Sequence, residues 1–250
     1  MAAKQAVIEC VALDNDNSSR VNDVNQDGAR GYFEAAAVSL YSARSTNPDK
    51  DAVLVTNSVV PSDIKRLLNE LGCRVIEQPF DSFSFPCDVP WHLAFYKLCA
   101  LRAVIDLDEY DQVLMLDTDT WIRANLDDVF YDTKFGLMLY RLHPNCCDSD
   151  LVKMQGELEA LSGNCYGSGD CFFGGEIVCG RSDDIKSLLA ACETVMNQMI
   201  KKGSFPSAGT SSCCSQVQPS GCCRPLFRQT PISSDCGLAV TGRSPLVGAT

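Results

Sequence analysis

The sequence predicts an α/β protein with a mostly parallel central sheet and helices on both of its faces. Strand-like and helix-like segments alternate through residues 1–200, which is the arrangement of consecutive βαβ units. The strand candidates are continuous apolar runs, such as "AVIECVAL" and "QVLML", as expected for strands that are covered on both faces. The chain has 250 residues, of which 46% are hydrophobic and 21% charged, and this is enough for one hydrophobic core.

Six segments are predicted to be strands because they are rich in β-branched, aromatic or other apolar residues and are bounded by turn formers. They span residues 6–13, 52–58, 73–80, 112–117, 135–141 and 171–180. Helices are predicted at residues 32–45, 61–72, 91–107 and 182–203. Because a helix separates each of the first three strands from the next, a mostly parallel sheet is expected.

Two of the predicted helices carry clear signals at their ends. The helix at 61–72 begins at Pro61 and stops at Gly72. The helix at 182–203 begins with Ser182 as its expected cap, and it closes with two lysines and Gly203. These signals make the last helix the best defined element of the sequence.

The sequence divides into one domain over residues 1–203 and a tail over residues 204–250. The tail is rich in cysteine, serine, glycine and proline, and it shows neither the period of a strand nor that of a helix. We therefore expect the tail to be disordered or loosely attached, or to be a truncated or altered C-terminus.

Charge and cysteine content restrict the partners and the location of the protein. The formal net charge of −11 argues against a nucleic acid or an anionic membrane surface as a partner. The sequence shows no signal peptide and no apolar run of about 18 residues, so we expect a cytoplasmic protein without a membrane span. The 15 cysteines include no Cys-x2-Cys pair, which disfavours a structural zinc site and favours reduced thiols.

The strand predicted at 112–117 ends in two aspartates, Asp117 and Asp119, with one residue between them. Ligands of an open parallel sheet bind at the carboxyl ends of its strands. On an extended chain, residues two apart point the same way, so two carboxylates would converge and repel each other unless a cation neutralised them. A hard divalent ion such as Mn2+ or Mg2+ suits carboxylates and leaves positions for phosphate oxygens. A simple polar strand exit is the alternative, and these residues alone leave it open.

The segment "YKLCAL…YDQVLMLDTDTWIRANLDDVF" resembles the central block of glycosyltransferase family 8, the glycogenin-like enzymes. In that block a Lys-Leu helix leads into an apolar strand, an Asp-x-Asp and an Asn-Leu/Ile-Asp-Asp/Glu turn. "CVALDND" resembles the nucleotide-binding strand end of the family, and "CFFGGEIVCGRSDDI" is similar to a later block of a strand and a helix. The three blocks occur in the family's order between residues 6 and 200.

The resemblance implies a GT-A type, Rossmann-like fold and a retaining, metal-dependent hexosyltransferase, with residues 1–203 as the nucleotide-sugar-binding catalytic domain. A nucleotide-diphospho-sugar, usually a UDP-sugar, would be the donor, and a carbohydrate or a protein would be the acceptor. Asp117 and Asp119 would bind Mn2+ or Mg2+, and Lys97 would reach the diphosphate. Glu176 is a further catalytic candidate on its own chemistry, because an acid inside the apolar run "FFGGEIV" needs a partner if it is buried: it either faces the donor sugar or pairs with a base such as Lys97. The donor would lie against Leu13, Asp14, Asn15, Lys97, Asp117, Thr118, Asp119, Gly174 and Gly175.

The chain departs from the family pattern in four places: about four extra residues separate Lys97 from Asp117, the Asp-Gln segment expected after the last amphipathic helix is missing, and two further differences concern single residues. Phe173 stands where the family usually has asparagine. The third metal ligand of the family is a histidine in a C-terminal His-x-x-Gly-x-x-Lys motif, whereas the two histidines of this chain, His92 and His143, come too early. An alternative function is therefore a catalytically impaired protein of the same fold that binds a donor or a partner. A nucleotidyltransferase is disfavoured, because "ALDNDNSS" lacks the glycine-rich loop that such an enzyme would need.

A second motif competes for a metal ion. "DVNQDGARGYFE", from Asp23 to Glu34, matches the twelve-residue calcium-loop pattern. The segment before it is a poor entering helix, however, and Arg30 occupies a loop position that is normally apolar. A polar surface loop between the first strand and the first helix is therefore the expected structure here, with calcium binding as the alternative.

Overall fold

The structure, a computed structural model, describes residues 3–13, 26–84, 92–133, 137–141, 156, 159, 173–203 and 238–240. Its strands are β1 (Gln5–Val11), β2 (Asp51–Thr56), β3 (Arg74–Glu77), β4 (Gln112–Leu116), β5 (Thr120–Ile122), β6 (Met138–Arg141), β7 (Phe173–Arg181) and β8 (Leu238–Val240). Its α-helices are α1 (Gln26–Thr46), α2 (Ser62–Glu70), α3 (Tyr96–Ile105), α4 (Asp127–Asp132) and α5 (Ser182–Lys202), and a 3-10 turn, His92–Phe95, precedes α3.

Six of these strands form one sheet in the order β3-β2-β1-β4-β7-β6. β1, β2, β3 and β4 are parallel to one another, whereas β7 is antiparallel to β4 and β6 is antiparallel to β7. The strand order reverses between β1 and β4, where Glu9 lies opposite Leu116. Open α/β sheets bind their ligands at such a reversal, outside the carboxyl ends of the strands.

Helices cover both faces of this sheet. On one face α3 and α5 pack against Ile8, Val113 and Met115. On the other face lie α1, α2 and α4, where α1 contacts Val7 and Leu114 among other residues. Alternate side chains of β1 and β4 therefore pack into apolar layers on opposite faces of the sheet. This explains why these strands are apolar at nearly every position. The predicted α/β class with a mostly parallel sheet is confirmed.

Several predicted elements differ from the observed ones. α1 begins at Gln26 and not at residue 32, and the short strand β5 was not predicted. Ser182 does not cap α5: the residue before the helix is Arg181, and the Ser182 hydroxyl donates a hydrogen bond to the Tyr110 carbonyl. Gly203 does end α5 in a left-handed conformation, with φ of 60°.

Two further observations concern the tail and the membrane. Three residues of the segment 204–250, Leu238–Val240, form β8 and pair with β5, and the rest of that segment lies outside the described residues. In the described part of the chain, no helix is both long enough and apolar enough to cross a lipid bilayer.

Candidate functional site

The carboxyl end of β4 brings Asp117 next to Lys97, and the two side chains form an ion pair. Val113 and Met115 point toward α3, so Asp117, the next residue of that series, leaves the strand on the same side. α3 runs back toward the amino end of β4, which places Lys97, in the first turn of α3, at the carboxyl edge of the sheet. The order of α3 and β4 therefore brings the Lys97 ammonium and the Asp117 carboxylate together at the carboxyl edge of the sheet.

Asp117 lies in an environment that opposes its charge. Burial raises the pKa of the Asp117 carboxyl, the Lys97 ammonium lowers it, and the negative charge of Asp119 raises it again, with a net rise. The side chains of Lys97 and Asp117 keep 23% and 30% of their surface exposed. A second cation placed between the two aspartates would offset both causes of the rise.

Asp119 lies in a turn and not on an extended strand. β4 ends at Leu116, and the Thr120 N–H donates to the Asp117 carbonyl oxygen at 3.0 Å. Residues i and i+2 of a strand point the same way, but Asp117 and Asp119 do not both lie on a strand. That part of the prediction is therefore wrong for these aspartates. Asp119 is exposed, and Asp117 and Thr118 are half-buried. The three residues directly follow the carboxyl end of β4.

Glu9 is an acid that the sequence analysis did not single out. It lies on β1 with 0% exposure, on the face of α1, and neither of its carboxylate oxygens has a hydrogen bond among the described residues. Ser39 lies beside it, and its hydroxyl also lacks a hydrogen bond of normal geometry. Burial raises the pKa of Glu9 well above its usual value, and the charges of Asp117 and Asp119 add to the rise. The acid inside the apolar run "AVIECVAL" was the signal in the sequence.

The exit of β1 is held by Asn57, another residue that sequence analysis missed. Asn57 follows β2, and its side chain accepts a hydrogen bond from Leu13 N at 2.9 Å and donates one to Leu13 O at 2.8 Å. Leu13 is thus fixed through its backbone at the ligand edge. The predicted donor-binding residues Asp14 and Asn15 lie outside the described residues.

The predicted contribution of β7 is visible in its backbone only. Gly174 pairs with Tyr140, and the β6–β7 register shifts between Leu139 and Tyr140. The glycines Gly174 and Gly175 therefore accompany a β-bulge, as expected of glycine inside a strand. Glu176 belongs to this irregular part of β7, and its side chain, like that of Phe173, lies outside what the structure describes.

Asp117 and Asp119 are the residues predicted to hold a metal ion. Among the described residues no group of three or more His, Cys, Asp or Glu side chains could hold a metal ion together. Mg2+ and similar ions commonly take one or two protein carboxylates and complete their shell with water and substrate phosphates. Asp117 and Asp119 are two carboxylates of the kind that such a site uses, and the charge of Asp119 raises the pKa of Asp117 less than burial does.

The calcium-loop motif does not have the conformation of a loop. α1 starts at Gln26, so the motif is helical from its fourth residue onward, and the expected polar surface loop is wrong for that part. The Glu34 carboxylate, the last ligand in the pattern, accepts a hydrogen bond from Arg30 at 2.7 Å. The first residues of the motif, from Asp23 to Asn25, lie outside the described residues.

Comparisons with known proteins add little to this geometry. No family model matches the chain. An uncharacterized protein of Acanthamoeba polyphaga mimivirus is 22% identical to it over 112 residues, which is 45% of this chain. The match covers 40% of the viral protein, so the similarity spans less than half of either chain.

Proposed function

We propose that the protein is a metal-dependent glycosyltransferase of the GT-A type that transfers a hexose from a UDP-sugar with retention at the anomeric carbon. The observation that carries this proposal is the ion pair of Lys97 with Asp117 beside Asp119, at the strand-order reversal between β1 and β4. One ammonium group and two carboxylates at that edge are the groups needed to bind a diphosphate together with a divalent cation.

Each charged group has a separate role in this proposal. Asp117 and Asp119 hold Mn2+ or Mg2+, which, when bound, stabilises the leaving diphosphate as a Lewis acid. Lys97 would bind a diphosphate oxygen of the donor in place of Asp117, its partner in the structure. The diphosphate thus replaces Asp117 as the partner of Lys97. Before the donor binds, the ion pair with Asp117 keeps the partly buried ammonium group of Lys97 from being unpaired.

The transfer exchanges one bond at the anomeric carbon for another. The bond from that carbon to the diphosphate oxygen breaks, and its electron pair leaves with UDP. A hydroxyl oxygen of a carbohydrate or protein acceptor bonds to the same carbon, and its proton passes to the leaving diphosphate or to water. In this proposal Glu176 acts at the donor sugar, and Leu13, held by Asn57, supports the nucleoside.

Thermal unfolding with UDP, with Mn2+ and with both tests the proposal. A ligand at about a hundred times its dissociation constant stabilises a protein by about 2.7 kcal/mol. The wild type should gain stability from UDP and Mn2+ together, and Asp119→Ala should lose that gain. Asp106→Ala is the matched control, because Asp106 is an exposed acid after α3, at the opposite edge of the sheet. No stabilisation of the wild type, or an equal gain in Asp119→Ala, would refute the proposal.

A binding protein of the same fold without turnover is the second candidate. The sequence feature that favours it is that neither of the histidines His92 and His143 is placed to serve as the third metal ligand of the family pattern. Hydrolysis of a UDP-hexose in the presence of Mn2+ distinguishes the two. The enzyme should release UDP and free hexose slowly without an acceptor, whereas a binding protein should be stabilised by UDP with no release.

A further inference from the structure

The segment that follows Asp119 is fastened to α1 and to the turn after it by side-chain hydrogen bonds. Ile122 N donates to the Ser42 hydroxyl oxygen at 2.9 Å, and Leu126 N donates to Asn47 Oδ1 at 2.7 Å. Lys50 Nζ donates to Asp127 Oδ1 at 2.6 Å. We refer to Ser42, Asn47 and Lys50 as the α1 clamp. Together they hold the chain from β5 to the start of α4.

The α1 clamp is buried. Ser42 and Asn47 are each 1% exposed, and Lys50 is 2% exposed. Buried polar side chains are costly unless they are hydrogen-bonded, and these three make bonds to one short segment. Two of the bonded groups are backbone N–H groups, whose hydrogen bonds are buried as well. Loss of either side chain would leave a buried backbone N–H donor without its partner, which is destabilising.

The clamped segment has few other attachments that fix its register. β5 has three residues and is outside the six-stranded sheet, and in the described part of the chain its strand partner is β8 alone. Ile122 and Leu126 pack into an apolar cluster with Ala43 of α1, but apolar packing alone does not set hydrogen-bond register. The clamp therefore determines where the segment lies along α1.

Asp119 lies between a fixed strand and this clamped segment. On one side Asp117 is fixed by β4 and by its ion pair with Lys97. On the other side Thr120 begins β5, and Ile122, the end of β5, bonds to Ser42. The backbone is thus held on both sides of Asp119, on one side by β4 and on the other by contacts that lie on the opposite face of the sheet from Lys97.

We propose that Ser42, Asn47 and Lys50 are positioning residues that place Asp119 for joint binding of a divalent cation with Asp117. This inference rests on the proposed function. Removal of a side chain that orients a metal ligand without itself touching the metal typically lowers metal affinity about tenfold to a hundredfold. Ser42→Ala and Asn47→Ala should therefore weaken cation binding about tenfold while the Lys97–Asp117 pair stays in place.

Isothermal titration of Mn2+ into the full chain, with UDP present, tests this inference. The variants are Ser42→Ala, Asn47→Ala and Asn47→Asp, the last of which keeps the oxygen that accepts from Leu126 N. Ile64→Val on α2 is the control, since it removes one buried methyl group and so destabilises the fold at a site away from the aspartates. Titrations are run well below the unfolding temperature of every variant.

The expected result is a loss of Mn2+ affinity of about tenfold in both alanine variants, partial recovery in Asn47→Asp and no change in Ile64→Val. If the wild type binds Mn2+ and the alanine variants bind as tightly as Ile64→Val, the inference is overturned while the proposed function stands. If neither the wild type nor Asp119→Ala binds Mn2+, the proposed function fails and takes the inference with it.

Discussion

Lys97, in the first turn of α3, forms an ion pair with Asp117, the residue that directly follows β4. The two residues are 20 positions apart and belong to successive elements that run in opposite directions, so only the folded sheet edge brings them together. Both side chains are mostly buried. The pair thus ties the geometry of the proposed donor site to the stability of the fold.

Lys97→Met should lower the free energy of unfolding by about 1–3 kcal/mol, because it leaves a half-buried carboxylate without its cation. Chemical denaturation measures this loss. Lys186→Met is the control, since Lys186 pairs with Asp108 at 3.3 Å on the surface, where such pairs contribute about 0–1 kcal/mol. Equal losses in the two variants would show that the Lys97–Asp117 pair behaves as an ordinary surface contact.

Glu9→Gln should make the protein more stable at neutral pH and leave its stability unchanged near pH 4.5. The pKa of Glu9 is raised in the folded state, so between its unfolded and folded pKa values the folded protein binds more protons than the unfolded one. Wild-type stability therefore falls as pH rises through this window. Glutamine resembles the protonated acid in shape and has no such loss.

Melting curves of the wild type and of Glu9→Gln from pH 4.5 to 8 measure this difference. It should be close to zero at the acid end and grow in favour of Glu9→Gln with rising pH. Glu193→Gln provides the control, because Glu193 is an exposed acid paired with Arg102 at 3.1 Å. A constant offset across the whole range would mean that Glu9 does not change its protonation on folding.

Asn57→Ala should destabilise the protein by about 1–3 kcal/mol, since both Leu13 backbone groups lose their partner. It should also weaken UDP binding more than Mn2+ binding, because Leu13 lies at the exit of β1 and not at the aspartates. Asn69→Ala, an exposed position on α2, is the matched control. Comparison of UDP and Mn2+ titrations in the two variants measures the split. Equal weakening of both ligands by Asn57→Ala would contradict a local role at the nucleoside.

The central sheet was predictable because its signals are local. Apolar runs such as the one that became β4, and the paired end signals of α5, indicate single elements without knowledge of the fold. Asp117 was found for the same reason, as an acid that breaks an apolar run. The prediction for its neighbour Asp119 was wrong, because it assumed that the strand continued through residue 119, whereas β4 ends at Leu116.

The parts that sequence analysis missed depend on contacts between distant segments. β5 is three residues long and pairs with β8, and although Thr, Trp and Ile each favour strands, so short a run cannot be told from a loop by its sequence. Ser42 resembles any serine in a helix until Ile122 is placed against it. Ser182 was predicted to cap α5 from its position alone, but the nearby Tyr110 carbonyl offers its hydroxyl another partner. Local patterns give the elements, and tertiary contacts decide which polar groups they use.

Two glycines with opposite surroundings give the last prediction. A Cβ at Gly180 of β7 would overlap the side chain of Leu137 and lie 3.5 Å from Ile185 Cδ1, whereas a Cβ at Gly31 of α1 would meet nothing within 4 Å. Gly180→Ala should therefore cost about 1–3 kcal/mol through overpacking. Gly31→Ala should stabilise the protein by about 0.5–1 kcal/mol, because alanine restricts the unfolded chain and favours the helix.

Urea denaturation of the two single variants and of the double variant measures both effects. Gly31 and Gly180 lie on different elements and have no common neighbour within 4 Å of the added Cβ atoms. The two changes in unfolding free energy should therefore add within about 0.3–0.5 kcal/mol. Because Leu137 is a flexible side chain next to β6, a cost near the lower end would mean that it moves aside. A stabilising Gly180→Ala would show that β7 does not pack against Leu137 as the structure has it.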